Sequence, residues 1–204
     1  MVERLREASE GDAPDAVTIT LAYRAPLDHA TLLRFLAQRA IPGIEAVGTL
    51  SVRRSLRAGA LAEAPGWVEA NFDPARERVQ LRFAPALASA SARVAAAARR
   101  WLDLDAAPAH IDAALAELPG APGIRLPGSL DAFELAVRAV LGQQVTVAAA
   151  RTLARRVVER FGTPLATPWP TLARAFPSPQ SLATATLDSV AGLGIVRTRS
   201  NALI

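Results

Sequence analysis

The chain contains no cysteine and no lysine. Without cysteine there is no disulfide framework and no thiolate metal site. Without lysine no side-chain amine can form a Schiff base, so covalent chemistry of that kind is excluded for this chain. No apolar run approaches the length of about 18 residues that a membrane-spanning helix needs. The opening stretch "MVERLREASEGDAPDA" alternates in charge and lacks the apolar region of a signal peptide. His29 and His110 are far apart and have no partner pattern, and no Gly-x-Ser-x-Gly, P-loop or Rossmann fingerprint occurs. These absences predict a cytoplasmic protein with no metal and no cofactor.

What is present is apolar and basic. Hydrophobic residues make up 51% of the 204 positions, enough for a packed core in one large domain or two small ones. Much of that share is alanine, which favours helices and fills little volume. All 23 basic residues are arginine, whose planar fork suits bidentate phosphate binding. The net charge of +4 is uneven. Residues 1–123 hold fourteen arginines against fifteen acids, while residues 124–204 hold nine against four. The second part is therefore the side expected to meet a polyanion.

Hydrophobic periodicity divides the chain near 105–108. Residues 1–15 read as a flexible leader. "AVTITLAYRAP" alternates as a strand, and Asp28 opens the helical pattern "HATLLRFLAQRA", which ends before Pro42 and Gly43. "EAVGTLSVRRSLRAG" reads as a strand or a strand pair. "GWVEANF" and "RVQLRFA" flank the turn "DPARE" as a hairpin, and "ASASARVAAAARRWLDL" is helical. The order β-α-β-β-β-α predicts an α+β domain over 16–106, an antiparallel sheet with helices on one face. From Pro108 onward the strand signal disappears. Helices are expected over 108–118, from Asp131 with Glu134 as a start signal, and from Thr146 as a cap. Short pieces are expected near 169–176, 178–185 and 187–192. The last pattern, "VRTRSNALI", reaches the end without a stop signal. Residues 107–204 thus read as a partial all-α domain.

The stretch "IRLPGSLDAFELAVRAVLGQQVTVAAARTLA" resembles the helix-hairpin-helix DNA glycosylases, and within them the bacterial 3-methyladenine DNA glycosylase II family. "LLRFLAQRAIPGIEAV" and its β-rich surroundings are similar to that family's N-terminal domain. The resemblance covers about residues 16–204. It implies excision of alkylated bases from double-stranded DNA, by a monomer associated with the nucleoid. The damaged nucleotide is rotated out of the helix and its N-glycosidic bond hydrolysed. The family's wedge residue matches Leu126. An apolar tip can replace base stacking, and Pro122 and Pro127 stiffen the loop while Gly123 and Gly128 allow close backbone approach. Arg125, Pro127, Gly128, Gln143, Gln144 and Thr146 join Leu126 as expected DNA contacts. Gln143, Gln144 and Thr146 also have plain structural readings, as partners of helix ends and a helix cap. Phe35 matches a base-pocket aromatic, whose ring face would attract a cationic alkylated purine. Core packing is its alternative reading, and Trp67, Trp101 and Trp169 are expected in the core or at its rim.

The resemblance also implies a catalytic Asp beyond an L-P-G-I-G hairpin. After Glu134 the only acids are Glu159 and Asp188, and neither has that context. "AGLGIVRTRS" matches an earlier helix junction. The expectation is a chain truncated before the hairpin, with no catalytic residue of its own, inactive alone, and with an exposed apolar patch near "NALI". A non-catalytic damaged-DNA-binding module and a helical interaction protein are the two alternatives.

Overall fold

The computed structural model describes residue 13 and residues 15–204, so the leader expected over 1–15 lies almost wholly outside the described residues. β1 (Val17–Ala22) leads into α1 (His29–Arg39), followed by β2 (Glu45–Val47), β3 (Ser51–Leu56), β4 (Gly66–Asp73), β5 (Arg78–Phe83) and α2 (Ser91–Trp101). The ambiguous stretch at 45–56 is a strand pair. All neighbours are antiparallel, in the order β1-β5-β4-β3-β2, so α1 connects the two edge strands. Asp28 caps α1 by accepting the Thr31 N–H at 2.9 Å.

Register explains the two faces of the sheet. Val17, Phe83, Val68 and Arg54 stand in one cross-strand row, and Ile19, Leu81, Ala70 and Val52 in the next. This face is buried with residues from α1 and α2, among them Leu32, Leu33, Val94 and Trp101. The opposite face is polar: Glu69 is paired by Arg53 at 2.7 Å and by Arg82 at 2.8 Å. Part of it is covered by Trp169, whose ring meets Trp67 edge-on at 4.9 Å while the Arg53 guanidinium lies over it. All three tryptophans are core residues.

The helical part comprises α3 (Pro108–Ala114), α4 (Ala132–Leu141), α5 (Val147–Phe161), α6 (Pro179–Ala183), α7 (Leu187–Ala191) and α8 (Arg197–Leu203). The α3 helix is shorter than its pattern. No helix forms over 169–176. Pro170 lacks an N–H and disfavours a helical Trp169; the chain turns, with the Leu172 N–H on the Trp169 carbonyl, and brings β7 (Arg174–Ala175) back beside β6 (Thr163–Pro164) in a two-residue ladder. Near the last residues, Leu203 is buried under the helical cluster while Val196 and Ile204 are exposed. The two hydrophobic clusters do not part at 106. Ile41 and Ile44, between α1 and β2, belong to the helical cluster, and Leu130, Trp169 and Leu172 belong to the sheet cluster. No helix among the described residues is long and apolar enough to cross a membrane.

Candidate nucleic-acid interface

The loop before α4 is tied down at Gly123, Leu126 and Gly128. Gly123 has φ +83, and its N–H donates to the Asp112 carboxylate at 3.0 Å while its carbonyl accepts the Asp28 N–H at 2.9 Å. A Cβ on Gly123 would stand 2.6 Å from the Pro26 carbonyl, so only glycine fits. Gly128 donates to the Arg100 and Trp101 carbonyls, and a Cβ there would meet the Arg100 oxygen at 2.8 Å. Between these clamps Leu126 is 83% exposed, the largest exposure of any large apolar residue described. Its N–H donates to Asp103 Oδ2 at 3.0 Å.

Arg125, expected among the DNA contacts, is turned into the protein. It is only 6% exposed, and its guanidinium donates to the carbonyls of Arg24, Pro26, Gly123 and Ile124. Four internal acceptors leave this fork turned away from a phosphate. Burial depresses its pKa, opposed by the carboxylates of Asp103 and Asp112. Beneath the loop, Tyr23 and His29 share a hydrogen bond of 3.0 Å, and burial lowers the His29 pKa. His29 thus has a structural partner, and among the described residues no group of three or more His, Cys, Asp or Glu is placed to hold a metal.

Beside the loop lies a cleft of about 390 Å³ formed by α1, α4, α5 and Pro127–Ser129. Phe35 lines it, 37% exposed, with the Arg39 guanidinium 3.7 Å from its ring centroid. One face of this ring therefore already carries a cation. Deeper in the cleft is a four-charge joint that the sequence patterns missed. Glu45 and Arg54 face each other across β2 and β3 and pair at 3.3 Å. Glu134 pairs with Arg54, and with Arg138 at 2.7 Å, while Arg138 also holds Glu45. Glu134 is thus no reciprocal helix cap; Asp131 alone caps α4, accepting the Phe133 N–H at 3.0 Å. Burial pushes the Glu134 carboxyl up, but the Arg54 and Arg138 guanidiniums outweigh it and hold the group below the usual carboxylate range. An arginine on an inward-facing strand row was the available signal for this joint.

At the other end of α4, Gln143 and Gln144 are exposed in a turn, and Gln144 has φ +54. Thr146 caps α5, accepting the Ala149 N–H at 3.2 Å, and is itself exposed. The basic excess of the second part is largely used inside the protein. Arg125, Arg156, Arg174 and Arg199 donate to carbonyls, Arg138 lies in the joint, and Arg155 and Arg197 pair with Glu159 and Asp188. Exposed Arg100, at the loop's clamp, and exposed Arg151, on the cleft, have no hydrogen-bond or ion-pair partner among the described residues. Composition could not separate these two from the other arginines.

The sheet and the helical body together share their fold with DNA glycosylases of solved structure. The fold matches a 3-methyladenine DNA glycosylase from Archaeoglobus fulgidus with a TM-score of 0.71 at 17% identity, over 91% of this chain and 64% of that one. It also matches the Clostridium acetobutylicum 8-oxoguanine glycosylase/lyase in complex with double-stranded DNA, with a TM-score of 0.52 at 15% identity, over 80% of this chain and 63% of that one. Residues 18–131 match the family model of the AlkA N-terminal domain, and residues 137–204 that of the HhH-GPD superfamily base excision DNA repair proteins. The chain is 39% identical to DNA-3-methyladenine glycosylase 2 of Escherichia coli over 91% of its own length, and spans 64% of that protein. It is 38% identical to a probable bifunctional transcriptional activator/DNA repair enzyme AlkA of Mycobacterium tuberculosis, over 82% of this chain and 34% of the relative. The chain belongs to the 3-methyladenine DNA glycosylase II (AlkA) family of helix-hairpin-helix base excision repair proteins.

Proposed function

We propose that this chain carries the duplex-binding and base-flipping part of an alkylpurine DNA glycosylase, acting as a monomer on DNA in the nucleoid. The observation that carries the reading is the exposure of Leu126 at the tip of a loop whose backbone is clamped on both sides. A side chain that must replace base stacking gains nothing if its loop yields first. The cleft beyond Pro127 and Gly128 is the space for the displaced nucleotide, with Phe35 on its wall. Gln144, held at a positive φ that glutamine adopts at a cost, is aimed at the duplex together with Gln143 and Thr146. The partition into a sheet domain and a helical domain remains our reading of the chain's organisation, with Ile41, Ile44, Trp169 and Leu172 crossing between them.

Within these residues the reading is of binding without hydrolysis. Glu45 and Glu134 are the carboxylates lining the cleft, and each is held by two guanidiniums. Glu159 and Asp188 are ion-paired at the surface, away from the cleft lining. No carboxylate of the cleft is left to stabilise an oxocarbenium-like sugar. The test uses a duplex with 2-aminopurine beside an alkylated or abasic position, whose fluorescence rises on unstacking. The expected result is salt-dependent binding, unstacking that Leu126→Ala abolishes without changing thermal stability, and no base release. Salt-independent binding, or unstacking unaffected by Leu126→Ala, overturns the reading; base release by the purified chain overturns the inactivity.

A further inference from the structure

The tip of the loop has few backbone donors. Pro127 has none, so the N–H groups of Leu126 and Gly128 are those nearest the exposed side chain. Both run to the end of α2. Gly128 uses the carbonyls of Arg100 and Trp101, and Leu126 uses the side chain of Asp103. Asp103 stands two residues past the last helical position, at φ +51, a left-handed conformation that Asp tolerates better than most residues. There Leu104 N–H returns to the Arg99 carbonyl at 2.9 Å, which closes the helix and turns the Asp103 carboxylate toward the loop. The placement is electrostatically adverse for DNA binding. A carboxylate next to a tip that enters a duplex repels phosphates, and the Arg125 guanidinium that offsets it is itself buried.

We infer that Asp103 is a positioning residue for base flipping: by accepting the Leu126 N–H it fixes the direction in which the apolar tip projects. The inference rests on the reading that Leu126 enters duplex DNA. Removing the carboxylate leaves the Leu126 peptide untied between the buried Arg125 side chain and the clamped Gly128, so that it can tilt between those two fixed points. Association through arginines does not need that tie, so binding and unstacking should separate.

Asp103→Gly isolates the carboxylate, because glycine accepts φ +51 without strain. Asp103→Asn restores an acceptor of the same shape without the charge. With the 2-aminopurine duplex and the full chain, Asp103→Gly should bind within about twofold of the native protein while the unstacking signal of the bound complex falls roughly three- to tenfold, the worth of one hydrogen bond. Asp103→Asn should recover the signal and bind somewhat tighter at low salt. In the free protein, amide exchange at Leu126 should quicken by a similar factor in Asp103→Gly and return in Asp103→Asn. Native unstacking in Asp103→Gly, equal failure of Asp103→Asn, or unchanged Leu126 exchange overturns the inference. If native protein and Leu126→Ala give the same unstacking signal, the wedge reading itself fails, and the exchange measurement still decides whether the tie exists.

Discussion

The two ends of α4 are held by different means. Its N-terminal approach, Gly123 to Glu134, is fastened to the sheet side by backbone clamps, the Arg57–Asp131 pair at 2.6 Å and the buried joint around Glu134. Its C-terminal exit, Gly142 to Thr146, has the Gly142 N–H on the Arg138 carbonyl, the Arg199 guanidinium on the Leu141 carbonyl at 3.2 Å, and the Thr146 cap. In each, one residue has a positive φ. At the approach it is Gly123, at the exit Gln144. The first end uses glycine where geometry demands it, whereas the second keeps a long polar side chain in a conformation that glycine would adopt at no steric cost. Rigidity at the approach comes from packing partners, and the exit is free to present side chains.

If that contrast is right, the largest effect comes from breaking the approach at its deepest point. Glu134→Ala leaves Arg54, which is 3% exposed, and Arg138 to share Glu45 alone, two guanidiniums on one carboxylate. Removing one member of a buried ionic group costs roughly 3–5 kcal/mol, read as a shift of the urea midpoint. The matched glycines come next. Gly123→Ala must relieve both a positive φ and a 2.6 Å approach to the Pro26 backbone, at a cost of about 2–4 kcal/mol. Gly142, at φ −83, has 3.2 Å to the Arg138 carbonyl, and Gly142→Ala should change stability by about 0.5 kcal/mol or less. Equal losses in the two glycine variants would erase the difference between the ends.

The sequence carried most of the fold because its signals were local. Asp28, Asp131 and Thr146 announce their helices and cap them by side-chain hydrogen bonds. The alternation in "RVQLRF" matches the buried Val79, Leu81 and Phe83 of β5. The four-charge joint was hidden because its two local pairs, Glu45 with Arg54 and Glu134 with Arg138, are joined only by bonds spanning 80 and 93 positions, and charge patterning assigns such residues to solvent. Asp131 with Glu134 marks the start of α4 as expected, but Asp131 alone caps it, and Glu134 turns to Arg54 from the sheet. Arg125 illustrates the limit of counting charges. Its neighbour Leu126 was expected at an exposed tip only through the family resemblance; the prolines and glycines around it are equally compatible with a leucine tucked into the helices. Only the folded chain places the carbonyls of Arg24 and Pro26 within reach of the Arg125 fork.

A change at the exit itself is the most discriminating because its two readouts should move in opposite directions. Gln144→Gly relieves a left-handed conformation worth roughly 1–2 kcal/mol and incurs roughly 0.5–1 kcal/mol of added chain entropy in the unfolded state. The net expectation is a gain of about 0.5–1 kcal/mol, seen as a small rise in Tm. If the side chain is kept in spite of that cost because it meets the duplex, the same variant should lose affinity by about three- to tenfold, the range for one neutral hydrogen bond. A structural role alone predicts the rise in Tm with unchanged binding. A fall in both would mean that Gln144 supports the turn through contacts made in the folded chain, and the exit of α4 would then be as firmly built as its approach.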